Sequence, residues 1–343
     1  MFRWFGWTWV AVAAAMQGCV SQPELRGPMA VRNQHPAQLL VAHLDASGAD
    51  VLPAGDTAVR VGAAYTSLFL FGSNPQSSFA MDGEQLRTAF AGRLGLGRNL
   101  ELKVTIPVVH TTGGFLDDAI IDFHDFFGFP DQDRTPAPRG LFAIDARQDG
   151  QSVWSVDRSG LELADVPLEL AWQLRAPGED RLGLALRGAV ELPTGDADRG
   201  YGNGQVDVVV GAFADYRRGG VGYTANVQHA VAGTRGQTRD LGFRFADVSS
   251  VGVGLELPVR QDFHLLVQAE LETSTLRDLG PRVASRNQMM IWFGGRWTPS
   301  PRWALEFGLG EDVIAKSAAD FTAWLGLEWR IGAGRRLAPR TRL

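Results

Sequence analysis

The feature that most constrains this chain is a period of two. In Leu100-Glu101-Leu102-Lys103-Val104-Thr105-Ile106 every second residue is apolar. Successive side chains of a strand point to opposite faces, so this segment has one greasy face and one polar face. The pattern returns over residues 59–65, 86–94, 166–174, 182–192, 206–210, 221–227, 251–259, 263–271, 289–297, 303–309 and 321–329. A half-buried strand of a soluble sandwich alternates in the same way. The connections separate the two cases. Short turns fall near 97–99, 176–180, 217–220, 260–262 and 298–302, and long connections at 72–83, 111–163, 194–204, 232–248, 273–286 and 311–319. A sandwich has no reason to sort its loops by parity, whereas outer-membrane barrels have short periplasmic turns and long outer loops. The expected fold is all-β, a transmembrane antiparallel up-and-down barrel of about twelve strands.

Composition agrees where it bears on the question. After Cys19 nothing approaches the ~18 unbroken apolar residues of a spanning helix. A membrane chain without such helices satisfies its backbone hydrogen bonds by closing a sheet. Trp172, Tyr216, Tyr223, Trp297, Trp303 and Trp329 sit near strand ends, where an interfacial girdle belongs. A net charge of -5 excludes the basic face that a nucleic-acid partner wants. The final alternating strand suits the outer-membrane assembly machinery, although an Arg-rich tail follows it.

The domain layout follows. Residues 1–18 read as a signal peptide, with Arg3, an apolar run and a small-residue cleavage zone. Cys19, the only cysteine, stands where a lipobox would place it, so acylation and ordinary cleavage are both open. Residues 19–55 form a periplasmic segment, lipid-anchored or plug-like, that would thread the lumen with Arg32 to Pro36. The barrel takes 56–331 and the tail 332–343. Both termini are expected in the periplasm, with outer-membrane lipid and lipopolysaccharide as the surroundings.

Beyond the third strand the chain reads His110-Thr-Thr-Gly-Gly-Phe-Leu-Asp-Asp-Ala-Ile-Ile-Asp-Phe-His124-Asp-Phe-Phe-Gly-Phe-Pro130, with Arg134 further on. Arg32-Asn33-Gln34-His35-Pro36, Met81-Asp82-Gly83-Glu84, Leu192-Pro193-Thr194-Gly195-Asp196, and Glu311-Asp312 followed by Asp320-Phe321 are further marks. With these motifs the chain resembles the exported proteins grouped as domain of unknown function 3187, over roughly residues 31–329. The resemblance implies an outer-membrane barrel and leaves the function open.

The polar faces and the long connections carry the candidate chemistry. Arg60, Arg87, Arg93, Glu101, Lys103, Glu169, Arg187, Glu191, Asp215, Glu270, Arg296, Glu306 and Glu328 would meet in one lumen, both signs together. Phe115, Leu116, Ala119, Ile120, Phe123, Phe126 and Phe127 recur at helical spacing, with Asp117 and Asp118 in the first turn and His124 on the polar side, which predicts a short amphipathic helix. That helix would fold into the lumen as a gate or plug, or merely cap the rim. His110, Asp117, Asp118, Asp122, His124 and Asp125 lack the spacing that sets two ligands on one helix face, so no metal is expected. His110 or His124 with Ser152 or Ser155 sketches a hydrolase without a local signature. No nucleotide or phosphate-loop motif appears, so no cofactor is expected. The reading is a channel for a small or amphipathic solute. The alternatives are a structural or partner-docking barrel and, behind it, an outer-membrane hydrolase.

Overall fold

A computed structural model describes residues 24–128, 134–314 and 317–332. Residues 1–23, with the expected signal peptide and Cys19, the tail from 333 and the side chains of Phe123, His124 and Phe127 lie outside the described residues. In chain order the elements are β1 (Thr57–Ser73), β2 (Ser77–Gly97), β3 (Leu100–Thr112), α1 (Asp117–Phe127), β4 (Ala143–Gln148), β5 (Gln151–Val156), β6 (Gly160–Leu163), β7 (Val166–Arg175), β8 (Gly183–Leu192), β9 (Asp207–Arg218), β10 (Val221–Val231), α2 (Gly236–Asp240), β11 (Val248–Arg260), β12 (Phe263–Glu272), β13 (Gln288–Ser300), β14 (Trp303–Asp312) and β15 (Phe321–Ile331).

Twelve strands, β1–β3 and β7–β15, form a closed antiparallel barrel. Neighbours in sequence pair throughout, and β1 closes on β15 from Thr57↔Ile331 to Ser67↔Phe321. Closure leaves no edge on the barrel, so the backbone can lie in hydrocarbon. On β7 and β8 the outward row, Leu168, Leu170, Trp172, Leu184 and Leu186, is exposed, while Glu169, Ala171, Gln173, Ala185 and Arg187 are buried inside. Similar rows run round the cylinder, and an apolar belt of that extent is not stable in water. The stacked pair Trp303–Trp329 and the tilted pair Tyr216–Tyr223 mark the short-turn end.

The loop end departs from the expected pattern in one place. The first connection is not a long loop from 72 to 83. β1 and β2 run on as a hairpin, paired to Ser73↔Ser78 and turned at Asn74, whose side-chain oxygen accepts the amides of Gln76 and Ser77. At 17 and 21 residues these strands exceed the roughly 9–11 that a crossing needs, so the hairpin stands well clear of the barrel. β4 pairs with the outer part of β2 and β5 with β4. Alternation lapses over 67–71 because both faces are covered there: Leu68, Phe69 and Leu70 are all buried. A strand buried on both faces reads as a continuous apolar run. The same extension accounts for much of the long connection from 111 to 163.

Candidate functional site: the lumen and the segment within it

Residues 24–53 have almost no regular structure, only a 3-10 turn over Gln38–Leu40, yet most of them are buried and only Glu24 and Asp50 are exposed. A buried irregular chain must find partners for its amides and carbonyls. Inward side chains of the barrel supply them. The Gln268 amide oxygen accepts the Met29 N–H at 2.9 Å and its nitrogen donates to the Met29 carbonyl at 3.2 Å. Gln228 does the same for Leu44, at 2.8 and 3.0 Å. Each primary amide thus imitates the rung of a β-ladder. Glu256 accepts the N–H of Arg26 and Gly27, Glu101 that of Leu52, and Asp207 that of Ala42. Asn203 donates to the Leu40 carbonyl, Gln173 to Ala49, Arg187 to Gly48 and Asp50, and Arg296 to Gly27 and Pro28.

Apolar contacts fix which wall the segment follows. Met29 and Val31 pack with Leu266, Met290, Trp292 and Trp324, and Val41, Ala42, Leu44 and Ala49 pack with Ala185, Ala189, Val209 and Phe213. Each large side chain so buried contributes about 1.5–3 kcal/mol. Gly294 and Gly308 make room for Met29: a Cβ on either would come within 2.7 or 3.0 Å of its sulfur. At the loop end, Ala37 and Leu40 enter a core with Leu68, Leu70, Trp154, Phe243, Phe245 and Leu276, so the outer connections close over the segment. His35 lies buried beside this turn, and burial pushes its imidazole down to about 3.

The apolar contacts of the segment lie mainly on β8–β15, and a cavity of about 820 Å³ remains between it and the wall of β1–β3 and β13–β15, opening toward the short turns at Ser300, Pro301 and Asp262. Its wall is densely charged. Arg93 donates twice to Glu101, at 2.9 Å each. Lys103 reaches Asp45 at 3.0 Å and Glu169 at 3.1 Å, and Glu169 also takes Arg187 at 2.8 Å. Arg296 bridges Glu256 at 2.7 Å and Glu306 at 2.8 Å, and Arg60 also pairs with Glu306. Glu328 gathers Arg26, Arg93 and Arg330, and Asp215 pairs with Arg217 at 3.2 Å. Glu270 meets His43 at 2.7 Å. Glu191 is buried with one carboxylate oxygen unpartnered. Arg87 faces the cavity with no carboxylate within reach among the described residues. Paired charges in a low-dielectric lumen hold their geometry because separating them leaves an uncompensated ion.

The connection carrying α1 is fastened elsewhere. Glu84 accepts the N–H of Phe115 and Leu116, and the Phe115 ring rests on Tyr65 at 5.9 Å. Tyr65 belongs to the outward row of β1, with Val59 and Val61. Phe115 and Phe126 are 77% and 81% exposed, and Ile120 is buried. Arg134 ties α1 down through Asp117 and reaches Ser67 and Asp320, with its guanidinium over Phe69. Asp118 pairs with Arg139. So Phe115 rests on the outward row of β1, Phe126 is exposed, and what fills the lumen is the N-terminal segment.

The other sequence readings are placed as follows. Ser152 donates to Asp145 at 2.6 Å, and His110 is exposed on the outward row of β3. His43, Glu270 and Glu272 bring ligand atoms within 4.8 Å of one another, which is close enough to hold a metal ion. The His43–Glu270 contact and the Asn33–Glu272 hydrogen bond already occupy them. His264 binds Glu256 at 2.6 Å. Sequence reasoning missed Gln173, Asn203, Gln228, Gln268 and Glu256 as the residues that hold the segment. The inward parity of the four on strands was visible, Asn203 lies in a connection and has none, and the backbone they serve was not visible.

The family model described as "Protein of unknown function (DUF3187)" matches residues 8–331. The chain belongs to this family. No curated protein sequence matches it. Among solved structures, the COG4313 outer-membrane channel from Pseudomonas putida F1 superposes with a TM-score of 0.56 at 11% identity, over 84% of this chain and 100% of that one. The NanC porin covers 80% of this chain and 100% of its own at 8% identity and a TM-score of 0.44, too low to carry an argument. The first likeness is one of fold, and the fold of this DUF3187 member is that of an outer-membrane β-barrel.

Proposed function

We propose that this DUF3187 protein is an outer-membrane channel for a small or amphipathic solute, gated by its own N-terminal segment, residues 24–53. The observation that carries the reading is the way the segment is held. It bonds the inner wall mainly through side chains and adds no strand to the sheet, so it can leave without breaking a ladder. The residual cavity of about 820 Å³ already opens at the short-turn end, and only the segment and the outer connections bar the path beyond it. The short turns would face the periplasm, with both termini there. Outer-membrane lipid and lipopolysaccharide would meet the apolar belt and the loop rim. In this reading α1 is a rim element: Phe115, just before it, rests on the outward-facing Tyr65, and Phe126 is exposed. The Ser152 hydroxyl is held by Asp145 rather than by a histidine.

Planar-bilayer recording tests the proposal. Full-length protein should pass small, infrequent currents. Deleting residues 24–53 should give a steady, larger conductance from a barrel that still shows heat-modifiable migration. Silence from both forms would end the channel reading and favour a structural shell.

A further inference from the structure

The cavity wall carries nine cationic side chains. Eight of them pair with carboxylates within 4 Å. The ninth, Arg87, has neither a hydrogen bond nor an ion pair among the described residues, although it is nine-tenths buried. A buried guanidinium without a counter-ion is costly unless an anion reaches it. Its charged neighbours are Arg32, Asp45 and Glu191. Asp45 is committed to Lys103. Glu191 lines the small gap behind Arg87 and not the main cavity. Arg32 gives its Nη2 to the carbonyls of Gln38 and Val41 and also lacks a carboxylate in reach, so two guanidinium groups stand near each other with no acid between them at pairing distance.

On the cavity side Arg87 is followed by small residues. Ala89 and Ala91 continue its inward row along β2, with Gly62 registered opposite Ala89 on β1. Ala304 and the Trp324 indole complete an apolar wall, and that indole lies where a Cβ on Gly62 would sit. The volume falls in the roughly 300–1,000 Å³ range of small-molecule sites, which are mostly apolar with a few placed polar groups.

We infer that Arg87 is the recognition point for an organic monoanion, a carboxylate with a compact apolar body. The carboxylate would lie on the guanidinium and the body against Ala89, Ala91, Ala304 and Trp324. A planar guanidinium matches a carboxylate with two parallel hydrogen bonds. The two guanidinium groups of Arg87 and Arg32, set against the one Glu191 carboxylate behind them, leave a single net positive charge, which selects a monoanion over a dianion such as phosphate. The inference rests on the channel reading for its biological sense and gives that reading a solute class, but binding is measured without transport.

The test uses the full mature chain in nanodiscs, titrated with 4-fluorobenzoate and followed by fluorine NMR. Wild type should bind it saturably, Arg87→Gln at least tenfold more weakly, and Arg87→Lys in between. The neutral probe 4-fluorobenzyl alcohol should bind wild type and Arg87→Gln alike. Arg87→Gln removes an unpaired charge and should fold, which heat-modifiable migration checks. Absence of saturable binding by wild type, or equal affinity in folded Arg87→Gln, overturns the assignment. A wild type that binds 4-fluorobenzoate in this way but stays electrically silent even without residues 24–53 would uphold the site and reject the channel.

Discussion

Glu256→Gln should release the start of the lumen segment. The carboxylate holds four donors. One oxygen accepts the N–H of Arg26 at 2.9 Å and of Gly27 at 2.8 Å; the other faces His264 Nδ1 at 2.6 Å and Arg296 Nη1 at 2.7 Å. Glutamine keeps one oxygen and turns the other into an amino group. Whichever way the amide lies, two donors then confront a third. Arg296 remains anchored by Glu306 and draws the oxygen to its side, so the amino group meets the backbone of Arg26 and Gly27. Two charge-assisted hydrogen bonds at about 1.5–3 kcal/mol each disappear. Partial rescue by water from the adjacent cavity leaves a loss of roughly 3 kcal/mol. At 1.4 kcal/mol per decade, the released population rises on the order of 100-fold. The barrel ladders are untouched, so the temperature of heat-modifiable unfolding should change little. Trypsin cleavage at Arg26 and Arg32 in nanodiscs, together with open probability in bilayers, reports the segment. Unchanged protection and gating in a folded Glu256→Gln barrel would refute the claim that this carboxylate clasps the chain.

Three further outcomes are expected. Gly95→Ala would bring a Cβ to 1.9 Å from the Pro53 carbonyl oxygen, where the segment leaves the lumen, so trypsin should cut the segment faster while the barrel stays folded. His35 is neutral when buried, with its imidazole at about 3 against an ordinary 6.5; the freed segment therefore binds a proton that the seated one does not. Seating is fully favoured above about pH 6.5 and weakens as pH falls toward 3, by about 2 kcal/mol at pH 5; His35→Gln should remove this part of the acid response in a protease-protection series. Val253→Arg sets a charge on a lipid-facing position that is 56% exposed near the middle of β11. It should destabilise folding into lipid vesicles by about 2–4 kcal/mol, measured by urea titration, and an effect near zero would contradict the outward assignment.

The sequence by itself determined the cylinder. Period-two alternation names the face of each residue, and connection lengths sorted by parity name the two ends; both are local properties of a strand and its turn. Residues 100–106 or 251–259 thus disclose their inward and outward rows before any neighbour is known. Alternation fails at 67–71 because loops cover the outward face as well, and coverage by distant chain is not a local property. Only the tertiary structure decided what stands inside. Residues 24–53 have no periodicity of their own, and their amides are satisfied by Gln228, Gln268 and Glu256, some 180 to 240 positions away. The spacing of Phe115, Ile120 and Phe126 declares a helix, but an apolar face does not state which surface will receive it. The balance of charge in the lumen is of the same kind. The sequence lists the cations, and three-dimensional pairing alone leaves Arg87 as the one on the cavity wall without a carboxylate.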